Sequence, residues 1–284
     1  MRAYRYNLAD VFTDRPLAGN QLAVFRDAPA DPALMQAIAR EMNLSETVFL
    51  TAPEDGADLT VRMFSTVREI PFAGHPLLGT AALAAFHDGA RDERVLRVGT
   101  AGGVVPVRVT PVGRRRFHAW MRQPVPTVAA WKRPEGLVAA LGLRDTGELP
   151  VEVYDNGLLH VYVAAPSTDA VAELVPDLPA LARLVGDVHV NCFAGRGDQW
   201  TTRMFSPLDF VPEDPACGSA AGPLAVHLVR HGRLAPGRKI TIAQGAQVGR
   251  PSVLHAIAEG GREQIDAVHV GGSVCVLGTG ELTL

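Results

Sequence analysis

Two stretches of the chain echo one another, and the echo restricts the fold more than any other feature. VREIPFAGHPLLGTAALAAF (67–86) and DFVPEDPACGSAAGPLAVHL (209–228) each follow an Arg-Met-Phe-Ser tetrapeptide, at Arg62 to Ser65 and Arg203 to Ser206. Each then runs through a polar residue before proline (His75-Pro76, Asp214-Pro215), a glycine beside a hydroxyl residue (Gly79-Thr80, Gly218-Ser219) and a pair of alanines. At 284 residues the chain exceeds the size that one core usually serves, so the echo predicts two related domains. We place them at 1–118 and 119–273, with the last strand, 274–284, completing the first. The proline-containing segment 125–150, with its helical EGLVAALGL, is the expected crossover between the halves.

Short β-rich runs, among them RYNLADVF, NQLAVF, TVFLTA, EVYDNGLLHVYVAA, QWTTRMF and KITIAQG, are separated by Gly, Pro and Asp, as strands joined by tight turns are. DPALMQAIAREMN reads as a helix capped by Asp31, with Pro32 at its first position. The two echoed alanine-rich segments read as helices that stop at Gly89 and Gly232. The first is small or apolar on every side and the second nearly so, and a helix apolar all round is buried all round. Strands stand before and after each one. The economical architecture is therefore an α+β fold of two similar domains, each a barrel-like, curved, mostly antiparallel sheet around a central helix. The cleft between the two copies is the expected ligand site.

A net charge of -3 offers no field for a polyanion, which argues against a nucleic-acid partner. The one basic cluster, Arg114-Arg115-Arg116, reads as a solvated hairpin rim. No apolar run approaches the roughly 18 residues that a membrane helix needs, and the N-terminus begins at once as a strand, without the pattern of a secretory signal. A cytoplasmic protein with no membrane partner is expected. Cys192, Cys217 and Cys275 are odd in number and widely spaced, which argues against a disulfide framework or a zinc site. His227 and His231 have the i, i+4 spacing of a metalloprotease helix, but Leu228 stands where its general-base Glu belongs, so no metal is expected there.

A doubled helix start has a chemical use. The first turn leaves about four N–H groups without intrahelical partners and carries roughly half a positive charge, so two such starts suit an anion or an oxyanion that develops during reaction. Gly74, Gly79 and Gly218 would let a ligand approach the backbone, and His75, Asp214 and Ser219 are the polar side chains of these starts. Asp214, Ser219 and Thr80 also suit ordinary N-caps. Glu46, in EMNLSETVFL, stands between Leu44 and the apolar Val48-Phe49-Leu50. It reads either as an acid/base in an apolar setting or as the end of a capping box begun by Asn43.

With NLSETVFL, REIPFAGHPLLGT, PEDPACGSAAG and QGAQVGRPS in order along the chain, the sequence resembles the PhzF family of phenazine biosynthesis, within the diaminopimelate-epimerase-like fold. The resemblance implies a homodimer that works without metal or organic cofactor on a small carboxylate. The implied reaction is isomerisation of trans-2,3-dihydro-3-hydroxyanthranilate to its ketone tautomer. By position in the motifs, Glu46 matches the family's acid/base. His75 and Asp214 match polar groups around the reaction, while Gly74, Gly218, Ser219 and Cys217 line the substrate. Two residues depart from the pattern. Cys217 stands where the family carries Thr and is similar to the second thiol of epimerases and proline racemases with this fold, whose first thiol position here is Ala73. The second departure is Pro223, where a helix former is expected. An epimerase or racemase using Cys217 and Glu46, and a catalytically silent anion-binding protein, are the alternatives.

Overall fold

The computed structural model describes residues 1–284 apart from Asp55, Arg133 and Phe210. It divides into two compact units, Met1–Arg122 with Gly271–Leu284, and Gln123–Val270. The helices are α1 (Pro32–Met42), α2 (Gly74–His87), α3 (Pro134–Ala140), α4 (Thr168–Ala172), α5 (Leu178–Val185) and α6 (Gly218–Arg230). None among the described residues is long and apolar enough to cross a membrane.

The first unit holds β1 (Ala3–Val11), β2 (Asn20–Phe25), β3 (Thr47–Thr51), β4 (Leu59–Phe64), β5 (Glu69–Ile70), β6 (Arg94–Thr100), β7 (Gly103–Gly113), β8 (Arg116–Gln123, whose last residue belongs to the second unit) and the end of a long strand counted last in the chain. The second holds β9 (Thr127–Ala130), β10 (Glu152–Asp155), β11 (Leu159–Ala164), β12 (His189–Arg196), β13 (Gln199–Ser206), β14 (Val211–Asp214), β15 (Ile240–Gln244), β16 (Ser252–Gly260) and the start of that long strand, β17 (Ile265–Thr283). In the first unit the strands run β17-β1-β2-β3-β4-β6-β7-β8 and close with β8 against β17. Eight strands in a ring leave an interior just wide enough to fill, and here α2 fills it. Its residues from Gly74 to Leu83 are all buried. Gly79 is required by this packing, because a Cβ there would stand 2.5 Å from Leu22 and 2.9 Å from Val11. Its smallness serves the core, and the expected role in approaching a ligand is corrected accordingly.

The second unit repeats the first strand by strand. β1/β2, β3/β4, β4/β5 and β6/β7 are antiparallel while β2/β3 and β4/β6 are parallel. In the second unit β10/β11, β12/β13, β13/β14 and β15/β16 are antiparallel while β11/β12 and β13/β15 are parallel. α6 is buried from Gly218 to Val229. The predicted ends hold: Asp31 caps α1 by accepting from Ala33 N at 2.9 Å, and Gly89 and Gly232 take left-handed φ of 64° and 67° just beyond α2 and α6.

The register of the repeat differs from the one the prolines suggest. The repeated arginine grips a carboxylate in both units: Arg62 bonds Glu69 at 2.7 and 2.6 Å, and Arg203 bonds Glu213 at 3.0 and 2.7 Å. Such two-pronged pairs fix geometry as well as charge. Counting on from these carboxylates, Ile70 matches Asp214, Pro71 matches Pro215, Ala73 matches Cys217, Gly74 matches Gly218 and His75 matches Ser219. The pairing of His75 with Asp214 and of Gly79 with Gly218 is thus corrected. The helix start, not the proline dipeptide, is the conserved landmark between the copies.

Candidate active-site elements

Each central helix starts without a side-chain cap. The N-cap residues are Ala73 and Cys217, both extended, and neither makes a side-chain cap bond. Asp214, Ser219 and Thr80 are therefore not N-caps. The capping box at Glu46 is also excluded, since Asn43 is the left-handed C-cap of α1 (φ 51°) and Glu46 follows it just before β3.

In the first unit, Glu46 and His75 come together. Glu46 Oε2 lies 3.5 Å from His75 Nδ1, with the two side chains 18% and 3% exposed. Burial pushes the His75 imidazole down to about 3, against the opposing pull of a backbone hydrogen bond with Gln21. His75 is therefore neutral at pH 7, with one donor and one acceptor nitrogen. Its Nε2 is buried with no hydrogen-bond partner. Gly74 is the first residue of α2 and sits beside it. A carboxylate next to a neutral imidazole, at a helix start with spare N–H groups, can take up a proton from carbon and hold the charge that results.

In the second unit, Asp214, Cys217, Gly218 and Ser219 gather at the start of α6. Asp214 ends β14, and its Oδ1 accepts from Ala216 N at 2.7 Å. Burial pushes its carboxyl up to about 6, while Ala216 N–H and His189 pull the other way. Gln244 straps the turn, donating to Asp214 O at 2.8 Å and accepting from Cys217 N at 3.3 Å. Cys217 Sγ lies 3.3 Å from Ser219 Oγ, and Ser219 Oγ lies 3.1 Å from His160 Nε2. The sequence reading missed His160, Asn191, His189 and Gln244. A signal was present for the first three, single polar residues inside the apolar runs LLHVYVAA and VHVNCFA.

Pro223 is accommodated within the same helix. Its missing N–H would have bonded Ser219 O, the carbonyl four residues earlier. That carbonyl accepts instead from Asn156 Nδ2 at 2.9 Å. Its neighbours are met likewise, Gly218 O by Gln123 Nε2 at 2.8 Å and Ala220 O by Tyr162 OH at 2.6 Å. Gly222 makes room for Gln123, whose Oε1 would stand 2.3 Å from a Cβ.

The His227/His231 pair acquires a carboxylate that its own helix lacks. Glu152 Oε2, on β10, lies 3.2 Å from His227 Nδ1 and 2.9 Å from His231 Nε2, and the three donor atoms fall within 4.8 Å of one another, a spacing a metal ion could use. Both imidazoles bond that carboxylate oxygen, and Tyr154 OH donates to it at 2.7 Å. An open cavity of about 930 Å³ near Glu148, Phe193, Trp200 and Arg233 contains none of the candidate residues. Its carboxylate, Glu148, is paired with Arg233.

Comparison with known proteins places the chain in context. Residues 9–280 match the PhzC-PhzF family model, described as phenazine biosynthesis-like protein. The chain is 47% identical over 283 residues to a trans-2,3-dihydro-3-hydroxyanthranilate isomerase of Pseudomonas fluorescens, covering 99% of this chain and 100% of that one. It is similar to the structure of a predicted epimerase from Pseudomonas aeruginosa, with a TM-score of 0.85, 34% identity and 99% of each chain covered. A probable proline racemase from Agrobacterium radiobacter shares the fold at a TM-score of 0.67 and 11% identity, over 99% of this chain and 93% of that one.

Proposed function

The chain belongs to the phenazine biosynthesis-like PhzC-PhzF family, and from that premise we propose how its residues divide the work of isomerising trans-2,3-dihydro-3-hydroxyanthranilate to its ketone tautomer. A carbon that carries both H and OH becomes a carbonyl without oxidation only if its hydrogen moves to another carbon. The Glu46 carboxylate takes that proton, the electron pair spreads through the conjugated ring, and the resulting Glu46 carboxylic acid returns the proton at a second carbon. The enol left behind then becomes the ketone. His75, neutral and buried, offers hydrogen bonds to the intermediate without adding charge. Gly218 and Ser219, at the uncapped start of α6, hold the substrate carboxylate, with Asp214 and Cys217 lining the same turn. The homodimer expected from the family completes this reading.

The observation that carries it is the pairing of Glu46 with a neutral, buried His75 at 3.5 Å. The register supports it against the two-thiol alternative, because Ala73 occupies the position equivalent to Cys217. The test is incubation with trans-2,3-dihydro-3-hydroxyanthranilate in D₂O, following absorbance and deuterium in the product. Glu46→Gln should lose about 10²–10⁴-fold in rate. A Glu46→Gln variant as fast as wild type would remove Glu46 from the mechanism.

A further inference from the structure

We propose that His160, held by Asn191 as the tautomer with its proton on Nε2, is a positioning residue that turns the Ser219 hydroxyl into a fixed donor toward substrate. The inference rests on the reading of Ser219 as a substrate-binding residue. His160 and Asn191 are both fully buried, on the parallel neighbours β11 and β12. Polar side chains so placed are retained by the bonds they make.

The direction of those bonds follows from donor counting. Asn191 Nδ2 lies 3.4 Å from each of three acceptors, His160 Nδ1, Val161 O and His189 O. Turning the amide over would set Oδ1 against two carbonyl oxygens, so the NH₂ group faces them. His160 Nδ1 is then an acceptor. Burial keeps the ring neutral, with a pKa well below the ordinary histidine value, so the single ring proton sits on Nε2. Nε2–H donates to Ser219 Oγ at 3.1 Å. The hydroxyl hydrogen must therefore point away from His160, toward Cys217 Sγ at 3.3 Å or toward a ligand at the helix start. Ser, His and Asn here form an array that looks like a nucleophilic triad, but its polarity is reversed. His160 already carries its proton on the nitrogen facing Ser219 and cannot act as that serine's base.

Two measurements test this. Long-range nitrogen–proton correlation on protein carrying ¹⁵N-histidine reads the tautomer without any substrate, and an Nε2–H signature is expected for His160. Kinetics with trans-2,3-dihydro-3-hydroxyanthranilate then compare Ser219→Ala, His160→Phe, His160→Gln and the double variant His160→Phe/Ser219→Ala. Loss of a hydrogen bond to a charged group should lower kcat/KM of Ser219→Ala by about 10- to 100-fold. His160→Phe should lose about tenfold or less, the effect of one neutral bond. His160→Gln, which keeps an N–H donor, should recover to within about threefold of wild type on the same scale. The double variant should be no slower than Ser219→Ala. An Nδ1–H tautomer overturns the inference, even in a fully active enzyme. So does a double variant whose losses multiply, or a glutamine that fails to rescue. A folded wild type that does not turn over the substrate removes the proposed reaction itself, and the substrate-directed part of this inference with it.

Discussion

The proline inside α6 makes a sharp test of how this helix is held. Asn156 Nδ2 donates to Ser219 O at 2.9 Å, taking the place of the N–H that Pro223 lacks, and both residues are about 4% exposed. Removing the amide in Asn156→Ala leaves a buried carbonyl without a donor, which costs about 1–3 kcal/mol. For a unit of this size that is a fall in melting temperature of about 2–4 °C per kcal/mol. In Pro223→Ala the restored N–H can bond Ser219 O itself, so Asn156→Ala should cost about 1 kcal/mol less in that background. Urea unfolding, combined with hydrogen exchange of the α6 amides, reads the second unit apart from the first. Equal losses in the two backgrounds, within about 0.5 kcal/mol, would show that Asn156 does not compensate for the proline.

Two further outcomes follow from the same turn. Asp214 has a folded pKa of about 6 against an ordinary 3.8, so the native state holds its proton more tightly than the unfolded chain does. Its stabilising effect is complete below about pH 4 and lost as pH rises through about 6. Asp214→Asn, which keeps an oxygen to accept from Ala216 N, should therefore gain on wild type by on the order of 2–3 kcal/mol between pH 4 and pH 7, though it should be less active. A stability difference that does not change between pH 4 and 7 would refute the assignment. Cys217→Ala should keep isomerase activity within about threefold, since removing Sγ takes from Ser219 one weak bond of 3.3 Å. Loss of all deuterium incorporation in Cys217→Ala would instead make the thiol an acid/base.

The duplicated domain was legible because its signal is local. Two helices apolar on every side can only be central, and a strand-rich chain around them can only wrap them. The setting of Glu46 was legible for a similar reason, as a carboxylate between Leu44 and an apolar strand. What could not be read depends on strand register. Arg62 and Arg203 stand in plain sight in the repeated tetrapeptide, but their carboxylates lie 7 and 10 residues on, and only the sheet shows that Glu69 and Glu213 are counterparts. The prolines pointed elsewhere, because Pro76 and Pro215 are not equivalent while Pro71 and Pro215 are. Glu152 reaches the His227/His231 pair from 75 and 79 residues away, a distance at which no helical spacing rule applies.

The corrected register also argues against a pair of like bases. Thr47 pairs with Phe64, and Val190 pairs with Phe205, the two phenylalanines being the same residue of the repeated tetrapeptide. The residue before each is Glu46 in one copy and His189 in the other. The neighbouring helix starts carry His75 in one and Ser219 in the other, preceded by Ala73 and Cys217, and Ile70 stands where Asp214 does. A mechanism with two like bases on opposite faces of a carbon needs like groups at equivalent places. Here four equivalent pairs have become unlike, while the strand order and the arginine–carboxylate clasp that support them remain alike. With unlike groups at these equivalent places, a symmetric two-base mechanism has no matched pair of side chains to use.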